Sequence, residues 1–466
     1  MNSNLLTGKK VVVQGLGRFG GGLDAAVFAS SSGASDVIVT DLASAEVLAA
    51  YVSELKPLEN ITLRLGEHKR DDFTSADVVI VNPAVAPDNE YVRAARDGGA
   101  VITSQIEIFF KLCPCEIVAV TGSNGKSTTT SLTAHLLSGA LEYQNNLPYK
   151  NVILGGNIGN RPLLSELENL TDKDIAVLEI SSFQAEQLAR GETDGGPLAP
   201  QVCVITNLSP NHLDRHGTFE NYCDAKESLF ANQKPDARGP VLSVFNLEDA
   251  LTAGWLEKYT RPGRICKGFK ASQAYKYRDV TPLAGEMNLS NLAAAACAAE
   301  HFGVTEDSIR KSLPSFKSLP HRLEFVRELD GVRWYNDSIA TTPESVIAAL
   351  TSFSEPMVLI AGGYDKNIPF DELGIAAAGR LRGAVLIGKT RGKIKAAIEA
   401  GCRSASGNIS EPVIKVVDSL EQAVLAAREI AVSGDIVAMS PACASYDMFT
   451  NFQQRGEMFR TLVAGL

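Results

Sequence analysis

Three times along its 466 residues the chain starts a series of short β-branched runs interleaved with Ala- and Leu-rich stretches of helical period. The first series runs through residues 11–14, 37–40, 61–65, 78–82 and 101–103. The second includes 117–121, 175–180, 202–206 and 241–246, and the third 357–361, 385–387, 413–417 and 436–440. Unbroken apolar runs alternating with helices suit parallel strands covered on both faces, because parallel neighbours need a crossover that lays a helix on the sheet. The pattern therefore predicts an α/β chain of three domains, each built on a parallel sheet covered on both faces. The boundaries fall at 1–104, 105–319 and 320–466, the second within the proline-bounded stretch PSFKSLPHR. Sheets of this kind bind ligands at the carboxyl ends of their strands.

Charge and cysteine content narrow the class further. Lys and Arg number 44 against 54 Asp and Glu, a net charge of −10. Nucleic-acid binding rests on clustered cations that neutralise phosphates, so a nucleic-acid partner is not expected. No apolar run reaches the ~18 residues of a membrane helix, and the first residues lack the pattern of a signal peptide. Eight cysteines without a CxxC pair read as buried apolar residues of a reducing cytoplasm, where the chain is expected to act as a monomer.

Two glycine-containing turns carry chemistry. Gly15, Leu16, Gly17, Arg18, Phe19 and Gly20 follow a strand and open a helix, and Asp41 ends the next strand. This is the pattern of a diphosphate-binding turn, though a tight strand–helix turn needs glycines as well. The second, IVAVTGSNGKST at 117–128, is a shortened phosphate cradle, with Val120 where the full pattern has glycine. Backbone N–H groups of Gly122, Ser123, Asn124 and Gly125 would surround phosphates with Lys126 beside them. Ser127 would offer its hydroxyl to Mg²⁺, and Thr128 continues the helix.

Magnesium beside phosphates takes hard oxygen ligands, and Glu179 closes a strand of the same series. His212 follows another strand, in NHLDRHG at 211–217. Alone it would read as an ordinary surface or core histidine, and His216 keeps that reading. Lys226 lies in a helical run, where a lysine is ordinarily solvated.

Taken in order, these pieces resemble the ATP-dependent muramyl ligases, and within them the glutamate-adding branch. The matching segments are GLGRFG, TGSNGKST, GGNIG at 155–159, LEISSFQ at 178–184, NHLDRHG, the Lys226 helix and NLSNLAAA at 288–295. They continue as LPHRLE at 319–324, WYNDS at 334–338, AGGYDKN at 361–367 and SPACASYDMFTNFQQRG at 440–456. The resemblance implies a Rossmann-like N-terminal domain for the UDP-sugar, a central P-loop ATPase domain and a Rossmann-like C-terminal domain for the amino acid. It also implies ATP, two Mg²⁺ ions, and the substrates UDP-N-acetylmuramoyl-L-alanine and D-glutamate, joined through an acyl phosphate in peptidoglycan precursor synthesis. It turns residues 15–19 and Asp41 into a uridine-diphosphate site, with Asn157 near the sugar-peptide end. Metal ligands become Ser127, Glu179, His212 and Lys226, the last as a carbamate, which requires the amine to lose its proton well below the usual ~10.4. Asn288, Asn291, Arg322 and Asp337 join the cradle around ATP, and Lys126, Lys226, His212, Glu179 and Arg322 carry catalysis. Thr341, Lys366, Ser445 and Phe452 hold glutamate. Because Arg322 and Asp337 lie beyond the second boundary, the third domain is expected to close on the second during turnover.

The chain departs from the family pattern at Ile339, where a lysine is usual, and at Asn211, where an acid is common. The first leaves the handedness of the glutamate open. Three other readings compete: a nicotinamide oxidoreductase using only the first turn, a nucleotide switch using only the second, and a sister ligase with a different amino acid.

Overall fold

The computed structural model describes residues 5–17, 20–158, 163–191, 196–283, 285–317, 320–353, 355–365, 368–404 and 411–466. Three sheets organise the described residues. The first has strands β1 (Lys10–Gln14), β2 (Asp36–Asp41), β3 (Ile61–Leu65), β4 (Val78–Val81) and β5 (Val101–Thr103), in the order β3-β2-β1-β4-β5. All its pairings are parallel. The second has β6 (Glu116–Thr121), β7 (Asn151–Gly156), β8 (Asp174–Glu179), β9 (Val202–Ile205), β10 (Val241–Asn246) and β11 (Arg264–Phe269). Its order is β11-β10-β9-β6-β8-β7, again parallel throughout.

The third sheet contains β12 (Glu324–Leu329), β13 (Val332–Asn336), β14 (Met357–Gly362), β15 (Leu381–Ile387), β16 (Val413–Val416) and β17 (Ile436–Met439), ordered β12-β13-β17-β14-β15-β16. Its one antiparallel pair is the hairpin β12–β13, which turns through Asp330 and Gly331, both at positive φ. The expected mixed α/β architecture with parallel sheets is present.

Alternation along the strands shows why both faces must be covered. Val11, Val13, Val37, Val39, Val78 and Ile80 belong to one apolar cluster, while Val12, Ile38, Val79 and Val81 belong to another on the opposite face. In the third sheet, Leu359 and Ala438 face one cluster and Val358, Ile360, Val437 and Met439 the other. Successive side chains point to opposite faces, so a strand buried on both sides must be apolar at every position.

The chain divides into two compact units, Met1–Tyr277 with Ser290–Pro314, and Arg278–Leu289 with Ser315–Leu466. The first contains the first two sheets, joined by one apolar core that runs from β1 through Ile106 and Phe109 to β6 and β8. The second contains the third sheet. All eight cysteines are free thiols, Cys113 and Cys115 with sulfurs 3.4 Å apart. Among the described residues no helix is long and apolar enough to cross a membrane.

Candidate active site

At the end of β1, Gly15, Gly17 and Gly20 all take positive φ, between 68° and 89°. A side chain there would be strained in the left-handed region. The helix Gly21–Ser31 lies so close to the turn that a Cβ on Gly22 would sit 2.3 Å from the carbonyl oxygen of Gly15. Asp41, at the end of β2, accepts from the backbone N–H of Gly17 at 3.0 Å and of Ala43 at 2.8 Å. Its carboxylate braces the turn. Leu16 is buried in the core, so a ligand would meet only its backbone. Arg18 and Phe19 lie outside the described residues. His68, which the sequence did not single out, lies 2.7 Å from the Thr40 hydroxyl, and burial holds its imidazole below the usual value despite nearby Asp41.

The second turn, after β6, is pinned by the segment that follows β9. Ser123 and Asn124 donate their backbone N–H groups to the carbonyl and the side chain of Asn207, at 2.8 and 2.9 Å. The Thr206 hydroxyl donates to the Asn124 carbonyl at 2.6 Å. A Cβ on Gly122 would lie 2.0 Å from that hydroxyl oxygen, so only glycine fits. Gly125, at φ 79°, opens the helix Lys126–Tyr143, whose first turn includes buried Ser127 and half-buried Thr128. Lys126 donates to the Ser123 carbonyl at 2.8 Å. Asn291 is buried against Gly125 and accepts from the Thr129 hydroxyl at 3.3 Å. Asn288 lies one turn earlier in the same helix, Glu286–His301, within the second unit.

Glu179 ends β8 in register with Val120 of β6, directly beside the cradle. It is buried, its Oε1 accepts from Asn157 Nδ2 at 2.8 Å, and its Oε2 has no partner among the described residues. A buried carboxylate oxygen left over in this way fits a cation site, because burying an unpaired charge is costly. Lys226 is 1% exposed, and this corrects the ordinary reading of a solvated helix lysine. Its ammonium nitrogen donates to Thr121 Oγ1 at 3.2 Å and lies 4.9 Å over the Tyr222 ring, whose hydroxyl meets Ser123 Oγ at 2.9 Å. Burial, and then the charge of Lys126, push this amine well below the usual lysine value, while Glu179 opposes the shift.

Phe183 joins both histidines. His212 sits in the left-handed region (φ 52°) with its ring 5.1 Å from Phe183, and His216 stacks on Phe183 at 5.3 Å with Nε2 2.9 Å from Ser182 Oγ. A reciprocal cap fixes this helix. Ser181 Oγ accepts from the Gln184 N–H at 3.2 Å, and Gln184 Oε1 accepts from the Ser181 N–H at 3.0 Å. Among the described residues no three His, Cys, Asp or Glu side chains form a metal cage. Oxygens of Ser127 and Glu179 beside a phosphate cradle suit magnesium, which binds through few protein ligands plus phosphate and water.

In the second unit, Asp337 follows β13 and is buried. Ser440 Oγ donates to it at 2.6 Å and the Leu323 N–H at 3.1 Å. Burial raises its carboxyl to about 6, against the pull of the Ser440 hydrogen bond and Arg322. Arg322 has a buried Nε with no partner among the described residues, as a side chain that meets an anion would. Buried Ser445 and half-buried Phe452, the first residue of the helix Phe452–Ala464, frame the same strand ends. Arg455, not selected from the sequence, ties them together: it donates to Ser338 Oγ and O at 3.0 and 2.8 Å and to the Cys443 carbonyl at 3.1 Å. Ser338 in turn donates to the Phe452 carbonyl at 2.7 Å. The arginine of NFQQRG was its only sequence signal. Thr341 is half-buried, as is Ile339, whose N–H donates to the His321 carbonyl at 3.1 Å. Lys366 lies outside the described residues.

A phosphate cradle flanked by a buried carboxylate and a buried amine, on a parallel sheet, defines an enzyme of the nucleoside-triphosphate-using α/β class. Residues 120–299 match the Mur ligase middle domain, and residues 321–443 the glutamate ligase domain of Mur ligases. The UDP-N-acetylmuramoylalanine--D-glutamate ligase of Roseiflexus sp. is 40% identical, covering 98% of this chain and 99% of its own length. That of Clostridium acetobutylicum is 38% identical, covering 94% and 93%. Among solved structures, UDP-N-acetylmuramate-alanine ligase MurC from Thermotoga maritima shares the fold, with a TM-score of 0.58, 20% identity, and coverage of 98% and 99%. The chain belongs to the Mur ligase family.

Proposed function

We propose that this chain is an ATP-dependent ligase that joins D-glutamate to UDP-N-acetylmuramoyl-L-alanine, releasing ADP and phosphate, in the cytoplasmic synthesis of peptidoglycan precursors. The observation that carries the reading is full-length similarity to ligases named for that reaction. The site chemistry supports it. A carboxylate is a poor electrophile, so the γ-phosphoryl group of ATP first passes to the terminal carboxylate of the UDP-sugar substrate. The glutamate amine then attacks this acyl phosphate, and phosphate leaves from the tetrahedral intermediate. The protein makes no covalent bond to substrate, and positioning with electrostatic stabilisation does the work.

The cradle turn Gly122–Gly125 and Lys126 hold the ATP phosphates, the N–H groups of Ser123 and Asn124 being engaged by Asn207 and so not donors to them, with Thr128, Asn288, Asn291, Arg322 and Asp337 completing the nucleotide contacts. Magnesium, when bound, offsets the charge of donor and acceptor, and Ser127, Glu179, His212 and Lys226 would hold two such ions. Lys226 is suited to carbamylation: its neutral amine attacks CO₂, an N–C bond forms, and a proton is lost. Burial supports that chemistry by favouring the uncharged amine. Residues 15–19, Asp41 and Asn157 bind the UDP-sugar, and Thr341, Lys366, Ser445 and Phe452 the glutamate. Residues 1–104, 105–319 and 320–466 are the corresponding domains.

The test is phosphate release from ATP and Mg²⁺, with and without UDP-N-acetylmuramoyl-L-alanine, comparing D-glutamate, L-glutamate and no amino acid. Release that requires the UDP-sugar and D-glutamate bears the reading out. A preference for L-glutamate moves the question to the pocket around Ile339, and indifference to the UDP-sugar refutes the proposed substrate.

A further inference from the structure

Asp24 lies in the first turn of the helix Gly21–Ser31, four residues beyond the glycine turn, and is 4% exposed. Its two oxygens accept five hydrogen bonds from two separate segments, Gln105 and residues 163–165. Oδ2 receives Gln105 Nε2 at 2.6 Å and the N–H groups of Leu163 and Leu164 at 2.8 and 2.7 Å. Oδ1 receives the N–H and hydroxyl of Ser165 at 3.2 and 2.6 Å. Every partner is a donor, so the site is built for an acceptor on both oxygens.

The segments joined are the ones that matter for a long ligand. Gln105 begins the helix Gln105–Leu112 that leads from the first sheet to the second, and its side chain passes beside Gly21. Leu163 covers Gly155: a Cβ on that glycine would lie 2.9 Å from Leu163 Cδ1. Gly156 comes next, so tight on β8 that its Cβ would lie 2.3 Å from the Glu179 carbonyl oxygen. Asn157 then donates both its N–H and its side-chain amide to Glu179, at 2.8 Å each. A continuous set of contacts thus runs from the glycine turn through Asp24 and Leu163 to the Asn157–Glu179 pair.

We propose that Asp24 is a positioning residue that sets the span between the glycine turn and the Asn157–Glu179 pair, and thereby selects a nucleotide-sugar long enough to engage both. The inference rests on the reading that the UDP end of the substrate sits at the first and the reacting end at the second. A ligand anchored at two points gains affinity only when its length matches the distance between them. Asp24 touches neither end of the ligand and acts through the frame.

The test uses the full-length enzyme with D24N and, as a milder change, S165A. Asparagine keeps the shape but presents an NH₂ to backbone donors, so one oxygen's set of bonds is lost. S165A removes one bond of the five. Binding of UDP alone, of Mg-ATP alone and of UDP-N-acetylmuramoyl-L-alanine is measured by calorimetry, alongside KM for each substrate. D24N should weaken the whole UDP-sugar about tenfold and raise its KM in proportion, with S165A following in the same direction by a smaller factor. UDP alone and Mg-ATP should bind as in wild type. Equal weakening of UDP alone, or no change in the whole substrate for both variants, overturns the proposal. If D24N does not fold, S165A decides by the same comparison. Wild-type enzyme that fails to bind the UDP-sugar at all refutes the proposed function instead, and is distinguishable because no variant is needed to see it.

Discussion

At the scale of single residues, two buried ionisable groups lead to opposite pH dependences. Lys226 releases its proton in the folded state at lower pH than in the unfolded chain, whose lysines titrate near ~10.4. The unfolded state therefore binds more protons through this window, and its contribution to stability improves as pH rises. In CO₂-depleted buffer at pH 7, Lys226→Met should stabilise the fold by about 1–3 kcal/mol in urea unfolding, since it removes a desolvated amine. The gap should narrow toward pH 9, while ligase turnover falls about 100-fold or more. Asp337 behaves in reverse. Its folded value of about 6 lies above the ordinary 3.8, so its contribution is fully present below about pH 4 and is lost as pH rises through 6. D337N should accordingly be more stable than wild type at pH 7, by about 1–3 kcal/mol, with the difference shrinking at pH 5. Neither environment was legible in the sequence. Lys226 reads as an ordinary helix lysine, and only the resemblance singled it out, because burial of a polar residue depends on what folds against it from far away. Asp24 escaped notice for the same reason: its partners are distant in the chain, and no local pattern encodes them.

Among the secondary-structure elements, legibility follows the apolar run rather than burial: the half-exposed edge strands β3 and β16 could be read, while the mostly buried β13 could not. All five strands of the first sheet, the central strands β6, β8, β9 and β10, and β14 to β17 could be read as apolar runs. The edge strands β7, β11 and β12 could not. Half-exposed positions such as those of NVILGG and RICKGF break the run with polar residues and glycine. β13, VRWYN, was also missed; its arginine and terminal asparagine interrupt the pattern although the strand lies inside the sheet. The glycine turns were legible, since positive φ at Gly15, Gly17, Gly20 and Gly125 leaves a residue-type signature. The reciprocal cap on Ser182–Arg190 holds the chain just beyond Glu179. Ser181→Ala should lower stability by about 1 kcal/mol in urea unfolding. It should also weaken Mg²⁺-dependent activity more than Mg-free ATP binding, because the helix steadies the strand end that carries Glu179.

For the molecule as a whole, division into two compact units has a thermal signature. The cradle belongs to the first unit, and a ligand stabilises whatever binds it by RT ln(1 + [L]/Kd), about 2.7 kcal/mol at a hundredfold excess over Kd. Mg-ATP without the other substrates should raise the calorimetric transition of the first unit more than that of the second, which supplies only Asn288, Arg322 and Asp337 to the proposed nucleotide contacts; a larger shift of the second would contradict this. The first unit is also discontinuous along the chain. The helix that begins at Lys126 is completed by residues made much later: His135 Nε2 lies 2.8 Å from the Ser312 carbonyl oxygen, Gln144 Nε2 donates to the Gly303 carbonyl at 2.7 Å, and Asn291 backs Gly125. Proteins emerge from the ribosome at about 5–20 residues per second, and domains form once their last essential segment is out. The nucleotide-binding half therefore stays unfinished on the ribosome until residue 314 has cleared the exit tunnel. For roughly 10–30 seconds its helix is left with an uncovered face, a natural foothold for a chaperone.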